Sequence, residues 1–147
     1  MATATFLDYE LDDDIDRIDW VRVHAWLATS YWSPGIAAAR VERAGRNSTC
    51  VLGAYHDGMQ VGYLRVVSDR TRLAYLADVS IDEPHRGRGL GRVMVRRVMD
   101  EPDFATALWL LGTRDAHGVY AALGFEPVPH PERWMSCPPR DRSGNLA

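Results

Sequence analysis

The sequence predicts an α/β (α+β) fold in a single domain: a central mixed sheet of six to seven strands, containing an antiparallel meander and flanked by about four helices. Three observations lead there. Two β-rich runs flank His56-Asp57-Gly58, a tight-hairpin signal, and a third strand-like run follows at once. A glycine-rich turn then joins that run to a stretch with helical spacing. After the helix comes a continuous apolar run, Ala105–Thr113, as expected of a strand buried on both faces.

The elements follow in order. Thr5–Leu11 alternates weakly and reads as a first strand. Asp12, Asp13 and Asp14 stand where a helix would start, suited to capping and to the helix dipole. Beyond them Ile18, Val21 and Ala25, with Trp20, Val23 and Leu27, make a broad apolar face. "YWSPGI" breaks this helix, and a shorter one spans Ala37–Ala44 and stops at Gly45. The hairpin around Asp57-Gly58 and a third strand, Arg70–Asp82, complete the meander. Leu90, Val93, Met94 and Val98 share one helix face, and Pro102 stops that helix. Ala105–Thr113 is a strand, "RDAHGVYAAL" a short helix ended by Gly124, and "FEPV" and "ERWMSC" are one or two closing strands. The domain is expected over residues 1–137, with a polar, proline-rich tail at 138–147.

Composition excludes several classes. A chain of 147 residues that is 46% apolar buries a core without metal or disulfide help. Its net charge of −3 gives no overall attraction to nucleic acid or an anionic membrane. It contains no lysine, so its 17 permanently cationic side chains are all arginine, a bias we read as genomic composition. Cys50 and Cys137 stand at neither metal nor redox spacing, and no metal cluster is expected. The start lacks the pattern of a signal peptide, and no apolar run approaches the ~20 residues of a membrane helix. A cytoplasmic location is therefore expected.

The most informative stretch is "HRGRGLG", His85–Gly91. It lies between a strand and a helix, where free backbone N–H groups and the helix dipole form an anion site. Gly87, Gly89 and Gly91 let the backbone turn sharply and let a phosphate approach, with Leu90 opening the helix; Arg86, Arg88 and Arg92 add charge. A dinucleotide fingerprint needs different glycine spacing and a later acid, and a P-loop needs a lysine; both fail. A solvated arginine face is the plainer alternative, since Arg88, Arg92 and Arg96 repeat every four residues.

The remaining pattern, R-x-x-G-x-G at Arg86, Gly89 and Gly91, resembles the acyl-CoA pyrophosphate loop of the GNAT superfamily of N-acetyltransferases. "TRDAHGVYAALGF" (Thr113–Phe125) is similar to the family's second signature: Ala116, Tyr120, Gly124 and Phe125 match, while Thr113 stands where asparagine is usual. The resemblance extends from roughly Leu7 to Met135. It implies transfer of an acetyl group from acetyl-CoA to a small-molecule or peptide amine, with no metal. It implies Tyr120 as proton donor to the CoA sulfur, main-chain contacts to CoA from Val79 and Ile81, and a polar contact from Thr113. A packing role for the Tyr120 ring is the alternative. Asp78, in the strand leading to the loop, either serves the amine as base or binding group, or is a structural aspartate. By simple alternation it shares a face with Leu76 and Ser80. Thr113 and Asp115 are both good capping residues.

In this family the break between the first two helices walls the acceptor site. His24, Tyr31 and Trp32 are the candidates there, since aromatic rings attract amines through cation–π contact. Core packing and a satisfied surface histidine are the alternatives. The apolar end near Trp134 and Met135 is compatible with a homodimer. A non-catalytic acyl-CoA-binding or regulatory module remains the competing function; retention of Tyr120 weighs against it.

Overall fold

The structure, a computed structural model, describes residues 1–139. Among these, six strands form one sheet in chain order: β1 (Ala4–Phe6), β2 (Tyr9–Asp12), β3 (Cys50–His56), β4 (Met59–Ser68), β5 (Leu73–Ile81) and β6 (Leu108–Leu110). Neighbours are antiparallel except β5 and β6, which pair parallel, so the sheet is mixed as expected. Four α-helices flank it: α1 (Trp20–Ala28), α2 (Ala38–Arg46), α3 (Leu90–Met99) and α4 (His117–Ala121).

Two apolar clusters bury the sheet from either side. On one face Leu90, Met94, Val95 and Val98 of α3 pack on Leu52, Leu64, Val66 and Leu76. On the other, Val23 and Leu27 of α1 and Val41 of α2 pack on Val51 and Tyr63. Adjacent strand residues such as Tyr63 and Leu64 therefore serve opposite layers, both fully buried. The β3–β4 turn places Asp57 (φ 50°) and Gly58 (φ 79°) in the left-handed region, as the Asp-Gly pair predicts.

Several expectations are corrected. The first strand is a hairpin, β1–β2, turning at Leu7 with φ 53°. Sequence reading misses this turn because a bulky residue occupies a conformation that normally selects Gly or Asn. The helix does not begin at Asp12–Asp14. Asp12 ends β2, Asp14 caps a 3-10 turn at Ile15–Arg17, and Asp19 caps α1 by accepting the Arg22 N–H at 3.1 Å. Val21 and Ala25 face solvent, because the later start rotates the buried stripe to Val23 and Leu27. Gly45 does not stop α2; it lies inside it.

Strand β6 is not buried on both faces. It is three residues long, forms the sheet edge and leaves Leu108 55% exposed. The closing strands "FEPV" and "ERWMSC" are absent from the described residues, where only a 3-10 turn at Pro131–Arg133 follows α4. Pro127, Pro129 and Pro131 remove alternate ladder donors, which explains the loss. The strand total of six arises because the extra strand lies at the N-terminal end. Trp134 and Met135 are exposed but belong to no strand. Of the tail, residues 140–147 lie outside the described residues.

Candidate active site

Strand β5 runs into the glycine–arginine turn, and Gly89 caps α3 with no side-chain hydrogen bond. Among the described residues the N–H groups from Gly87 through Arg92 donate to no backbone carbonyl. A row of free donors at a ten-residue helix start is the arrangement that binds an oxyanion. Gly87 (φ +78°) has open space where a Cβ would stand; Gly89 (φ +83°) has only the Phe6 ring, at 4.0 Å. Both take the left-handed backbone, which shapes the loop while keeping its surface clear.

The arginines divide. Arg86 folds back, its Nε donating to the Ile81 carbonyl at 2.9 Å. Arg88 Nη1 donates to the Tyr9 hydroxyl oxygen at 3.2 Å, and Tyr9 in turn hydrogen-bonds His85 Nδ1 at 2.9 Å. Arg92 is exposed at the first turn of α3. Tyr9 and His85 support the turn from a strand 76 residues away, a contact no local sequence signal announces.

Beyond Tyr75 and Leu110 the parallel pairing of β5 and β6 ends. The chain after Leu110 turns toward α4 while β5 continues to Ile81, and the strands part. A cavity of about 420 Å³ occupies this gap, with Asp78 and Val79 on one wall, Thr113 and Tyr120 on the other, and Tyr31 and Trp32 across the end. A second cavity, also about 420 Å³, lies on the far side of Tyr120 and shares Leu111, Gly112 and Thr113 with the first. Tyr120 thus lines both.

The structure therefore brings Tyr120, Asp78, Val79, Thr113, Tyr31 and Trp32 together. Ile81 pairs with Gly62, and its carbonyl is taken by Arg86. His24 is not brought to the gap: its Nε2 donates to the Ile36 carbonyl at 3.0 Å. Trp26 turns away too, its Nε1 donating to Asp82, which also pairs with Arg22 at 2.9 Å. That pair ties α1 to the end of β5, where the glycine–arginine turn begins.

Asp78 adopts φ 58° at an irregularity in the β4–β5 ladder. This bulge overrides simple alternation: the carboxylate meets Arg65, the cross-strand partner of Ala77, rather than following Leu76. Oδ2 accepts Arg65 Nε at 2.6 Å and Oδ1 accepts Trp32 Nε1 at 3.1 Å. Tyr31 holds the other wall: its oxygen accepts the Arg114 N–H at 2.7 Å, and the Arg114 guanidinium lies 4.0 Å above its ring. Thr113 Oγ1 accepts the N–H of Ala116, the residue before α4, at 3.1 Å; neither Thr113 nor the exposed Asp115 caps the helix, whose N-cap Ala116 has no side-chain bond.

Tyr120 packs edge-on against Phe125, ring centroids 5.8 Å apart. Burial raises its hydroxyl above the ordinary phenol range, and the neighbouring Tyr31 adds to this, so it carries its proton at neutral pH. Burial also pushes the Cys50 thiol up to about 11, which keeps it protonated and un-nucleophilic. Arg65 and Arg40, both on the cavity wall, are the residues that sequence reading missed. Neither stands in a motif. Among the described residues, no helix is long and apolar enough to cross a membrane.

Comparison with known proteins agrees with this geometry. The family model for the acetyltransferase (GNAT) family matches residues 10–125. A crystal structure of a GNAT-family protein from Xanthomonas campestris is 35% identical, covers 90% of this chain and 94% of its own, and superposes with a TM-score of 0.85. An acetyltransferase structure from Deinococcus radiodurans, 17% identical over 100% of this chain and 99% of its own, has a TM-score of 0.76. Glucosamine-6-phosphate N-acetyltransferase from Arabidopsis thaliana, 13% identical over 90% and 99%, shares the fold at 0.64. A search of curated proteins gave no match. The open N–H row ahead of α3, the parting of β5 from β6 and a match over most of the chain agree: this protein belongs to the GNAT acetyltransferase family and is an acyltransferase.

Proposed function

We propose that the protein is an N-acetyltransferase that moves an acetyl group from acetyl-CoA to a primary amine by direct attack, with both substrates bound together. The observation that carries this is the position of Tyr120, its hydroxyl protonated, in the gap between the parted strands. The free N–H groups of Gly87–Arg92, with Arg86, Arg88 and Arg92, would hold the pyrophosphate. The β5 backbone at Val79, unpaired on its β6 side, would face the pantetheine arm.

Acetyl-CoA supplies an activated acyl carbon and a thiolate leaving group. The chain supplies position and protons. The neutral amine forms the new C–N bond as the C–S bond breaks. Tyr120 gives its proton to the departing sulfur, and the proton released by the nitrogen passes to water. Asp78 and Asp115 both line the cavity, Asp78 paired with Arg65 at 2.6 Å and Asp115 with Arg114 at 3.5 Å. With both oxygens engaged, Asp78 works by position and charge, and proton removal goes through solvent.

Calorimetry and thiol release test this. Acetyl-CoA should bind the wild type, and Gly89→Glu should abolish binding by placing an anion at the phosphate position. Tyr120→Phe should bind acetyl-CoA normally and lose about 10²- to 10⁴-fold in kcat, the usual contribution of a positioned acid. No acetyl-CoA binding would overturn the proposal; full activity in Tyr120→Phe would remove the proton-donor role. Binding without turnover on any amine would favour a non-catalytic module.

A further inference from the structure

We infer that the acceptor is a small amine that also carries an oxyanion, a carboxylate or a phosphate, held at the Arg40 wall of the cavity; this rests on the acetyltransferase reading above. Among the described residues four arginines are half-buried: Arg22, Arg40, Arg65 and Arg97. Three have carboxylate partners, Arg22 with Asp82 at 2.9 Å, Arg65 with Asp78 at 2.6 Å and Arg97 with Glu101 at 3.4 Å. The Arg40 guanidinium has no ion pair and no hydrogen bond among the described residues, although it projects from α2 into the cavity lining. Its nearest acid in sequence, Glu42, is engaged by Arg46 at 2.8 Å.

A partly desolvated guanidinium without a counter-charge is costly, and its fork of donors matches an oxyanion in two-point contact. Arg65 adds to the same wall. Its Nε holds Asp78 and its Nη1 reaches Ser48 Oγ at 3.4 Å, which leaves Nη2 without a partner among the described residues. The Arg65–Asp78 pair is internally neutral, so the net positive group of this wall is Arg40.

The opposite wall carries Asp115 and the proton donor Tyr120. Asp115 pairs with the exposed Arg114 at 3.5 Å, so among the described residues the unpaired charge of the cavity is the positive one at α2. A molecule with an anion at one end and an amine at the other would lie with its nitrogen toward Tyr120. The CoA phosphates do not account for Arg40. The α3 N-terminus that would bind them belongs to the layer on the other face of the sheet from α2.

The test uses the full chain, saturating acetyl-CoA and matched acceptor pairs: α-amino acids against their amides, and O-phosphoethanolamine against ethanolamine, with putrescine as an anion-free diamine. Turnover or product binding is expected for members with an anion, and which pair responds tells carboxylate from phosphate. Arg40→Ala should raise the acceptor KM about 10- to 100-fold, the usual weight of hydrogen bonds to a charged group. The acetyl-CoA KM should stay unchanged, and Arg40→Lys should restore part of the effect. Circular dichroism melts verify that both variants fold. Equal or better use of the amides, ethanolamine or putrescine overturns the inference, as does an unchanged acceptor KM in Arg40→Ala. Intact acetyl-CoA binding with no turnover or binding of any panel member overturns it as well. Failure of acetyl-CoA itself to bind overturns the acetyltransferase reading, and this inference with it.

Discussion

Replacing Asp78 separates three contributions that coincide at one residue: charge, hydrogen bonding and backbone conformation. The carboxylate is 14% exposed and its partner Arg65 19%, so the pair is only lightly screened. A hydrogen bond to a charged group contributes about 1.5–3 kcal/mol, and a neutral one about 0.5–1.5. Asp78→Asn keeps an acceptor and tolerates φ 58° as aspartate does, so it should cost about 1–1.5 kcal/mol, the difference between the two bond types. Asp78→Ala loses the acceptor and adds the left-handed penalty of about 1–2 kcal/mol, for a total of roughly 3–5. Asp78→Gly should recover about 1–2 kcal/mol of that, because glycine accepts this backbone freely. At about 2–4 °C per kcal/mol for a chain of this size, Tm should fall by about 2–6 °C for Asn and about 6–20 °C for Ala. Urea melts with a constant slope give the free energies. An alanine variant no less stable than the glycine one would refute the backbone argument. An asparagine variant as stable as wild type would refute the ion-pair argument. Activity then adds a separate readout: a hundredfold loss of kcat/KM in Asp78→Asn, beyond its small stability change, would show that the charge serves the amine directly.

Gly45→Ala should destabilise by about 1–3 kcal/mol, although this exchange inside a helix usually stabilises; the new Cβ would stand 2.3 Å from the Trp20 ring, and a raised Tm would contradict the packing. Asp69 accepts the N–H groups of Thr71, Arg72 and Leu73, and these bonds hold its pKa down from 3.8 to about 2. Its ionised form therefore stabilises the β4–β5 turn fully above pH ~4, and that contribution is lost as pH falls through about 2. In denaturant melts, the stability gap between wild type and Asp69→Ala should be constant from pH 7 to about 4 and then narrow. A gap that widens toward acid pH would reverse the assignment. Trp32→Phe keeps an aromatic ring but removes the donor to Asp78, and should cost about 0.5–3 kcal/mol in stability. If its melting is unchanged, the Trp32–Asp78 bond does not hold the loop.

Local patterns made much of the fold legible. The Asp57-Gly58 hairpin, the α3 stripe and the turn feeding α3 each depend on residues within a few positions of one another, and each appears where its pattern predicts. The β1–β2 hairpin was hidden because Leu7 holds a backbone that sequence reading assigns to glycine or asparagine. The expected closing strands fail on a signal the sequence does carry: Pro127, Pro129 and Pro131 argue against a ladder. The site divides in the same way. The glycine–arginine turn is contiguous and readable. The cavity end at Tyr31 and Trp32 is assembled by contacts such as Trp32 to Asp78 and Tyr31 to Arg114, 46 and 83 residues apart, and by a bulge that redirects Asp78. Alternation places Asp78 on the wrong face because one irregular residue reverses the parity of the strand.

Those two long-range bonds change what the aromatic pair at 31–32 can offer a substrate. Trp32 directs its only N–H at β5, and Tyr31 commits its oxygen to the chain beyond β6, so consecutive residues fasten the α1–α2 connection to both rims of the gap. The edge-on contact of their rings, 5.1 Å between centroids, makes the two attachments one unit. What remains for a ligand is ring surface, and on Tyr31 Arg114 already lies over the ring. A bare ammonium would meet the Trp32 ring, a Tyr31 ring partly covered by Arg114, and a carboxylate that already serves Arg65 and Trp32. Directional recognition of a second substrate group would then fall to groups with unused hydrogen-bonding capacity, and besides Tyr120 the cavity wall offers Arg40 and the Nη2 of Arg65. On the proposed reading, the aromatic pair would set the shape of the acceptor end and the arginines would choose the molecule that fills it.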